Sequence, residues 1–357
     1  MLRVGILTSG GDCQGLNAAI RGVARALYES FDEVEITGIL DGYRGLIEER
    51  FRSMKPEDFS GILTLGGTVL GTSRQPFKRM RVIEEGGVDK VAAMKRTVQR
   101  LRLDCLVILG GNGTHKTANL LREEGVPVVT LPKTIDNDLW GTDMTFGFQS
   151  AVDVGANVID YIHTTATSHG RVFIVELMGH KVGWLTLYAG VAGGADVILL
   201  PEIPYDLSRV VQALEHRRAQ GKEFSILAVA EGALSRAEAK MSKKELAAAR
   251  AAEPFPSVAY RLARELESYA GSETRVCAPG HFQRGGPPCP YDRVLATRLG
   301  TAAAGLIREG RFGYMCAIIN GEMVPVPLEE VAGKLKKVPE NADVIRAARE
   351  IGTAFGD

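Results

Sequence analysis

The sequence lacks the features that mark several large classes of protein. Its 357 residues include no apolar run near the ~20 residues that a helix needs to span a bilayer. The first residues show no charged stretch followed by an apolar one, so we expect no secretory signal peptide. Lysine plus arginine and aspartate plus glutamate balance at 43 each, so no net charge attracts nucleic acid or a membrane surface. We therefore expect neither nucleic acid nor a membrane as a partner.

The five cysteines have no functional spacing. They form no CxxC pair and no set with the spacing of metal ligands, and two lie in apolar or strand-like runs. Such cysteines are typical of reduced thiols in a cytosolic protein, which favours a cytoplasmic location.

Length and glycine content indicate an α/β protein with two domains. A chain of 357 residues with 45% hydrophobic content is long enough for more than one core. Its 41 glycines separate alternating apolar runs and amphipathic segments. Strand–loop–helix alternation of this kind is typical of a parallel sheet covered by helices. The pattern restarts near residues 145–150, where we expect a domain change.

Hydrophobic periodicity predicts the elements of both halves. The strands expected before residue 145 are Val4–Thr8, Val34–Leu40, Cys105–Leu109 and Val126–Leu131. The helices expected there are about Gly15–Tyr28 and Lys90–Leu101. The later strands are Arg171–Leu177, Ala195–Leu200 and Ser225–Ala230, and the later helices are Gln149–Thr165, Val182–Ala192 and Ser208–Gln220. A charged stretch, Ser235–Ala252, is expected to form a helical surface insertion.

Three glycine-containing loops are expected at the carboxyl ends of strands, where α/β sheets bind ligands. They are Ser9-Gly10-Gly11-Asp12, Gly66-Gly67-Thr68 and Gly110–Thr114. Glycine lets a ligand approach the backbone closely, and the helix expected after each loop offers unpaired N–H groups to an anion. Three such loops together predict a phosphate site.

A polar stretch, Thr134–Asp138, follows the strand next to the last of these loops. Asp136 and Asp138 are one residue apart and would point the same way in an extended segment. One carboxylate could accept the proton of an attacking hydroxyl while the other helps to place a metal, as phosphoryl transfer requires. An Asx-type turn is the alternative interpretation of Asp-Asn-Asp by itself.

Several cationic and polar residues could complete such a site. Arg74 follows the second loop and fits either a phosphate ligand or a solvated turn. Arg171 and Arg275 each open an apolar run, where a single arginine is more often a surface charge. Further polar groups follow the later strands, in Glu176–His180, Glu231-Gly232 and Gly280–Gly286.

These motifs, taken in order, resemble those of the 6-phosphofructokinase family over about residues 1–325. The matching stretches are Leu7–Asp12, Asn17–Gly22, Asp41–Tyr43, Gly66–Thr68, Gly110–Thr114, Pro132–Asp138 and Gly280–Gly286. The resemblance implies two Rossmann-like three-layer αβα domains with mostly parallel sheets. It implies a larger phosphoryl-donor (ATP) domain, residues 1–147 plus about 284–335. The smaller sugar-phosphate domain would be 148–283 plus about 336–357.

The resemblance also implies a role for each matching residue. Asp136 would be the general base that takes the proton from the sugar 1-hydroxyl, with Thr134 and Asp138 as further catalytic residues. The donor would be bound by Gly11, Tyr43, Arg74, Gly110, Asn112, Gly113, Thr114 and Lys133. Fructose 6-phosphate would be bound by Met178, Gly179, His180, Glu231, His281 and Arg284. Arg171 and Arg275 would reach the 6-phosphate across a subunit interface, which implies a homo-oligomer, either a tetramer or a dimer.

The expected phosphoryl donor is ATP with Mg²⁺. Within the family, glycine at the position of Gly113 goes with ATP, because a carboxylate there would collide with and repel the α-phosphate. Lys133 is shared by pyrophosphate-dependent and several ATP-dependent branches. The expected metal ligands are Asp136, Asp138 and Asn112, although Asn112 replaces an acidic residue. The expected reaction is the glycolytic one, from ATP and fructose 6-phosphate to ADP and fructose 1,6-bisphosphate.

Two alternatives to this reaction stay open. One is the same chemistry with pyrophosphate as donor, or with another sugar phosphate such as sedoheptulose 7-phosphate. The other is a weakly active sugar-phosphate-binding subunit, which Asn112 and His180 would fit, since His180 replaces an arginine of the family.

Overall fold

A computed structural model describes residues 1–83, 87–270 and 273–357. The strands are β1 (Leu2–Ser9), β2 (Val34–Ile39), β3 (Phe51–Met54), β4 (Cys105–Gly110), β5 (Val128–Pro132), β6 (Val172–Leu177), β7 (Val197–Leu199), β8 (Ser225–Ala230), β9 (Thr274–Cys277), β10 (Tyr314–Ile319) and β11 (Glu322–Pro327). The helices are α1 (Leu16–Ser30), α2 (Tyr43–Glu48), α3 (Lys90–Arg100), α4 (Asn112–Glu123), α5 (Phe148–His169), α6 (Trp184–Ala192), α7 (Leu207–Ala219), α8 (Lys243–Ala252), α9 (Val258–Ala270), α10 (Pro290–Arg308), α11 (Leu328–Val331) and α12 (Asp343–Glu350). Over the described ranges, no helix is long and apolar enough to cross a membrane.

The described chain divides into two compact units. Unit 1 contains residues 1–150 and 284–336, and unit 2 contains residues 151–283 and 337–357. Each unit is built on its own sheet, so the predicted α/β class is confirmed.

Unit 1 is organised by a sheet with the strand order β11-β10-β5-β4-β1-β2-β3. Its inner strands are parallel, and β3 and β11 pair antiparallel at the two edges. All six residues of β4 are buried, as expected of a parallel strand with both faces covered. The ends of three inner strands are in register, because Ser9 pairs with Gly110 and Gly110 pairs with Pro132. The segments that follow β1, β4 and β5 therefore start side by side.

Unit 2 is built on a parallel sheet with the order β7-β8-β6-β9. Leu177 at the end of β6 pairs with Ala230 at the end of β8. The segments after these two strands therefore begin together, as they do in unit 1. Buried aliphatic residues from β6, β7 and β8 pack against helices of the same unit and form its core.

Two of the predicted local structures are wrong. The stretch Ser235–Ala252 is not one helix, because a short 3₁₀ turn, Glu238–Lys240, is followed by a separate helix, α8. Ser242 caps α8, with its hydroxyl accepting from the Glu245 N–H. The loop Gly66–Thr68 does not join a strand to a helix, and lies instead between the 3₁₀ helices Pro56–Phe59 and Phe77–Arg79. It is held against α1, since the Asn17 amide donates to the carbonyls of Leu65 and Gly66 at 3.1 Å.

A buried ion cluster joins the 3₁₀ turn Glu238–Lys240 of unit 2 to α8 and α9. The Glu238 carboxylate accepts two 2.9 Å hydrogen bonds from Arg261 and one of 2.9 Å from Arg250. Burial by itself would raise the pKa of Glu238, but the arginine hydrogen bonds outweigh it and lower the pKa to about 2. The carboxylate is therefore ionised and paired at neutral pH.

Replacing Glu238 with Gln should lower the free energy of unfolding at neutral pH by about 3 kcal/mol, because it leaves the buried Arg261 without its closest counter-ion. The folded-state pKa lies below the unfolded value of 4.5, so the ionised form stabilises the fold above that pH. This contribution is lost as the pH falls toward 2. Urea unfolding of both proteins at neutral pH and through this acidic range measures the difference, which should shrink as the pH falls.

The matched control is Glu267→Gln, which breaks an exposed pair in which Glu267 lies 3.8 Å from Arg264. That change should cost less than about 0.5 kcal/mol. Equal losses in the two variants, or a difference that does not change with pH, would contradict the role given to Glu238.

Candidate active site

Three segments of unit 1 that follow parallel strands are hydrogen-bonded to one another. The Gly10 N–H donates to the Ser73 carbonyl at 3.1 Å, and the Thr114 hydroxyl donates to the Ser9 carbonyl at 3.3 Å. The Lys133 N–H donates to the Gly110 carbonyl at 3.0 Å. The glycine loop after β1, the loop before α4 and the segment after β5 thus form one continuous edge.

The start of α4 presents uncapped backbone N–H groups. Gly111 precedes the helix and has no side chain to cap it, so the first-turn N–H groups and the positive end of the helix dipole are available to an anion. A Cβ added to Gly113 would meet no described atom within 4 Å. Packing within the described protein therefore gives no reason for glycine at position 113, whereas a bound ligand would.

Asn112 is tied to the C-terminal part of unit 1. Its side-chain N–H donates to the Lys334 carbonyl at 2.5 Å. An aspartate could not make this bond, because a carboxylate has no hydrogen to donate. The amide at position 112 thus has a structural partner in this chain.

Two buried aromatic side chains contact the backbone of the loop Gly110–Thr114. Tyr43 is 1% exposed, and its hydroxyl donates to the Thr114 carbonyl at 2.8 Å. The position predicted to line the donor site therefore lies in the core and acts on the backbone of the loop. His115 was not predicted; its Nδ1 lies 2.9 Å from the Gly111 carbonyl oxygen, and burial lowers its pKa to about 4. Its only sequence signal is the four-residue spacing to Gly111.

Two cationic side chains flank the loop after β1. The buried Lys133 ammonium donates to the Gly11 carbonyl, and Arg284 donates to the Asp12 carbonyl at 2.9 Å. A Cβ on Gly11 would lie 2.0 Å from a guanidinium nitrogen of Arg284, so glycine gives this arginine its place. Arg284, predicted to bind the sugar phosphate, thus lies beside Gly11, which is predicted to bind the donor. Arg74 is exposed beside Ser73, at the same loop.

The stretch Thr134–Asp138 is a turn, so the extended geometry expected for Asp136 and Asp138 is wrong. The Asp136 N–H donates to the Thr134 hydroxyl at 3.0 Å, and Asn137 has a left-handed φ of 51°. The two carboxylates nevertheless interact. Burial, and then the charge of Asp136, raise the pKa of Asp138 to about 6.

The carboxylates of Asp136 and Asp138 fit a magnesium ion that takes its other ligands from phosphate oxygens. Among the described residues, no group of three or more His, Cys, Asp or Glu side chains could hold a metal. Mg²⁺ is commonly held by one or two carboxylates together with phosphate oxygens. The mutual repulsion of Asp136 and Asp138 is the electrostatic condition that a divalent cation relieves.

In unit 2, Glu231 organises the turn after β6. One of its carboxylate oxygens accepts from the N–H groups of Gly179, at 3.1 Å, and His180, at 2.7 Å. Gly179 and His180 both have positive φ, 146° and 54°, and these two bonds hold that conformation. The residues predicted after β6 and β8 are thereby brought together.

A buried glutamine, Gln283, connects the 3₁₀ turn Gly280–Arg284 to the segment after β6. The Met178 N–H donates to the Gln283 side-chain oxygen at 3.3 Å, and the Gln283 amide donates to the Gly280 carbonyl at 3.0 Å. Gln283 had no predicted role of its own. It fixes the 3₁₀ turn Gly280–Arg284, which carries His281, against the end of β6.

The two predicted interface arginines share one carboxylate. Arg171 donates to Glu273 at 2.6 Å, and Arg275 donates to the other oxygen of Glu273. The pairing of β6 with β9 brings them together, since Phe173 is in register with Arg275. Glu273 was not predicted.

The chain is similar to one family across most of its length. A family model described as "Phosphofructokinase" matches residues 3–307. The chain is 57% identical over 356 residues to an ATP-dependent 6-phosphofructokinase of Spirochaeta thermophila, covering 99% of this chain and 97% of that protein. It is 49% identical, over 100% of both chains, to an ATP-dependent 6-phosphofructokinase of Propionibacterium freudenreichii subsp. shermanii.

A solved structure extends the similarity to the fold. Phosphofructokinase from Saccharomyces cerevisiae matches 92% of this chain with a TM-score of 0.76 and 30% identity, and the match spans 45% of that longer chain. The chain belongs to the 6-phosphofructokinase family.

Proposed function

We propose that this protein is an ATP-dependent 6-phosphofructokinase, which converts ATP and fructose 6-phosphate to ADP and fructose 1,6-bisphosphate in glycolysis. The observation that carries the proposal is the register of β4 and β5. It sets the uncapped start of α4 beside the turn that contains Asp136. An anion site next to a carboxylate base is what phosphoryl transfer to a hydroxyl needs. The names of the relatives agree with this assignment.

In this proposal, unit 1 binds the phosphoryl donor. The N–H groups at the start of α4 hold donor phosphates, and Lys133 and Arg284 add positive charge at the Gly11 loop. The open space at Gly113 admits the α-phosphate of ATP. Gly110, Thr114 and Arg74 complete the donor side, while Tyr43 acts by supporting the loop.

The catalytic step uses the turn Thr134–Asp138. The Asp136 carboxylate accepts the proton of the sugar 1-hydroxyl while the oxygen of that hydroxyl forms a bond to the γ-phosphorus. The bond from the γ-phosphorus to the bridging oxygen breaks, and ADP leaves. Thr134 holds Asp136 through the Asp136 N–H. Asp136, Asp138 and the amide oxygen of Asn112 are the proposed Mg²⁺ ligands; when bound, the ion neutralises phosphate charge.

Unit 2 supplies the proposed residues for fructose 6-phosphate. They are Met178, Gly179, His180, Glu231 and His281. Hydrogen bonds from Met178 to Gln283 and from His180 to Glu231 connect parts of this set. Arg171 and Arg275 would bind the 6-phosphate of the sugar on a neighbouring subunit, in a homodimer or homotetramer located in the cytoplasm. Guanidinium groups suit this task because they match the oxygens of a phosphate.

Replacing Asp136 with Asn should lower kcat by roughly 10²–10⁴-fold, because the amide cannot accept the proton. The KM values for both substrates and the unfolding transition should change little. Initial rates with ATP, fructose 6-phosphate and Mg²⁺ measure the effect. Asp153→Asn, at an exposed position of α5, is the control and should leave kcat unchanged. A kcat near the wild-type value in Asp136→Asn would exclude Asp136 as the base.

Replacing Gly113 with Asp should raise the KM for ATP on the order of tenfold or more, through collision with and repulsion of the α-phosphate. Folding should be preserved, because the new side chain meets open space within the described protein. Gly305→Ala, at another open helical position, is the control and should alter neither property. Initial rates with ATP and with pyrophosphate measure the effect. Turnover of wild type with pyrophosphate and not with ATP would refute the donor assignment.

Replacing Glu273 with Gln should lower the KM for fructose 6-phosphate roughly two- to fivefold, because the carboxylate that competes with the 6-phosphate loses its charge. The kcat should stay the same, since Glu273 is not expected to touch the reacting atoms. Initial rates over a range of fructose 6-phosphate concentrations measure the change. A higher KM would show instead that Glu273 orients the two arginines for binding.

A further inference from the structure

One short segment near the C-terminus of unit 1 is bonded to the turn that contains Asp136. Lys336 is the last residue of unit 1 and lies beyond residue 307, where the match to the family model ends. Leu335 forms an antiparallel bridge with Leu139. The Lys336 N–H donates to the Asp138 carbonyl at 2.9 Å. The backbone of this segment is thus fixed directly to the turn.

The Lys336 side chain adds three bonds to the same region. Its ammonium group donates to the Asn137 side-chain oxygen and to the carbonyls of Thr142 and Asp143, each at 2.9 Å. An ammonium has three N–H groups, and here each has an acceptor. Bonds of a charged donor are among the stronger ones in proteins. The ammonium therefore joins the turn to the 142–143 segment.

Asn137 is the residue on which the shape of the turn depends. It lies between the two aspartates and has the left-handed φ of 51°, which few residue types adopt readily. Its side-chain oxygen accepts from Lys336 and from the Thr145 N–H, at 3.1 Å. These bonds hold the side chain and backbone of Asn137 in one conformation, and a change in that conformation would turn the carboxylate of Asp136.

We propose that Lys336 is a positioning residue for catalysis, whose side chain acts through Asn137 to hold Asp136 in the orientation that removes the proton. The inference rests on the proposed function. It concerns a residue beyond the part of the chain that the family model matches, 199 positions along the chain from Asn137. Lys336 touches neither substrate in this scheme, so its loss should change the rate of the chemical step and spare binding.

The experiment compares four full-length proteins: wild type, Lys336→Met, Asn137→Gly and the double variant. Glycine is chosen at position 137 because it keeps φ 51° accessible while it removes the acceptor oxygen. In Lys336→Met, kcat should fall on the order of 10- to 100-fold, as expected when a catalytic group is misplaced. The KM values for ATP and fructose 6-phosphate should stay within about threefold of wild type, as expected when only the transition state loses stabilisation.

Non-additivity tests whether Lys336 acts through Asn137. Asn137→Gly should show the same kind of loss, and the double variant should lose little more than Lys336→Met. Lys337→Met is the matched control, because it makes the same change at the neighbouring exposed lysine, and its kinetics should match wild type. If Lys336→Met does not fold, Asn137→Gly carries the test by the same split between kcat and KM.

The outcomes separate this inference from the proposed function. Wild type without turnover of ATP and fructose 6-phosphate would refute the function, and the inference with it. An active wild type whose folded Lys336→Met variant keeps its kcat would overturn the inference alone. Multiplicative losses in the double variant, or a loss confined to KM, would also overturn it.

Discussion

The parallel pairing of β1, β4 and β5 is the constraint on which the rest of unit 1 depends. Hydrogen bonding in a parallel ladder fixes which residues end side by side, and here Ser9, Gly110 and Pro132 do so. A shift of register would separate the uncapped start of α4 from the turn that contains Asp136. The buried aliphatic residues of β4 protect that register, because a slip would disturb a strand packed on both faces.

In unit 2 the comparable constraint is a single carboxylate. Glu231 accepts from the N–H groups of Gly179 and His180, two successive residues with positive φ, and these bonds stabilise that backbone conformation. Gln283 completes the arrangement from the other side of β6. A half-buried carboxylate and a buried amide thus shape a surface whose exposed members include His180.

Much of this was predictable from sequence, for a physical reason. Glycine loops after apolar runs, and aspartates at the tip of the next run, are local patterns that the strand register then brings together. The prediction of one helix over Ser235–Ala252 missed a local signal, because Ser242 and Glu245 have the spacing of a capping box. The family resemblance supplied the return of the chain to the first domain at about residue 284 and the individual roles, which periodicity alone does not contain.

The remaining features depend on contacts between residues far apart in the chain. The turn at Asn137 is bonded to Lys336, and the place of Arg284 depends on the lack of a side chain on Gly11. The burial of Tyr43 follows from its contact with Thr114 in another element. No pattern within a short window of sequence reports any of these three contacts.

The bond from Asn112 to the Lys334 carbonyl has a consequence for cooperativity. Two residues further on, Lys336 is bonded to the turn that contains Asp136, so residues 334–336 connect the start of α4 to that turn. Local opening of this segment would release both at once, as one cooperative unit with a single opening free energy. The start of α4 and the turn that contains Asp136 are therefore ordered, or disordered, together.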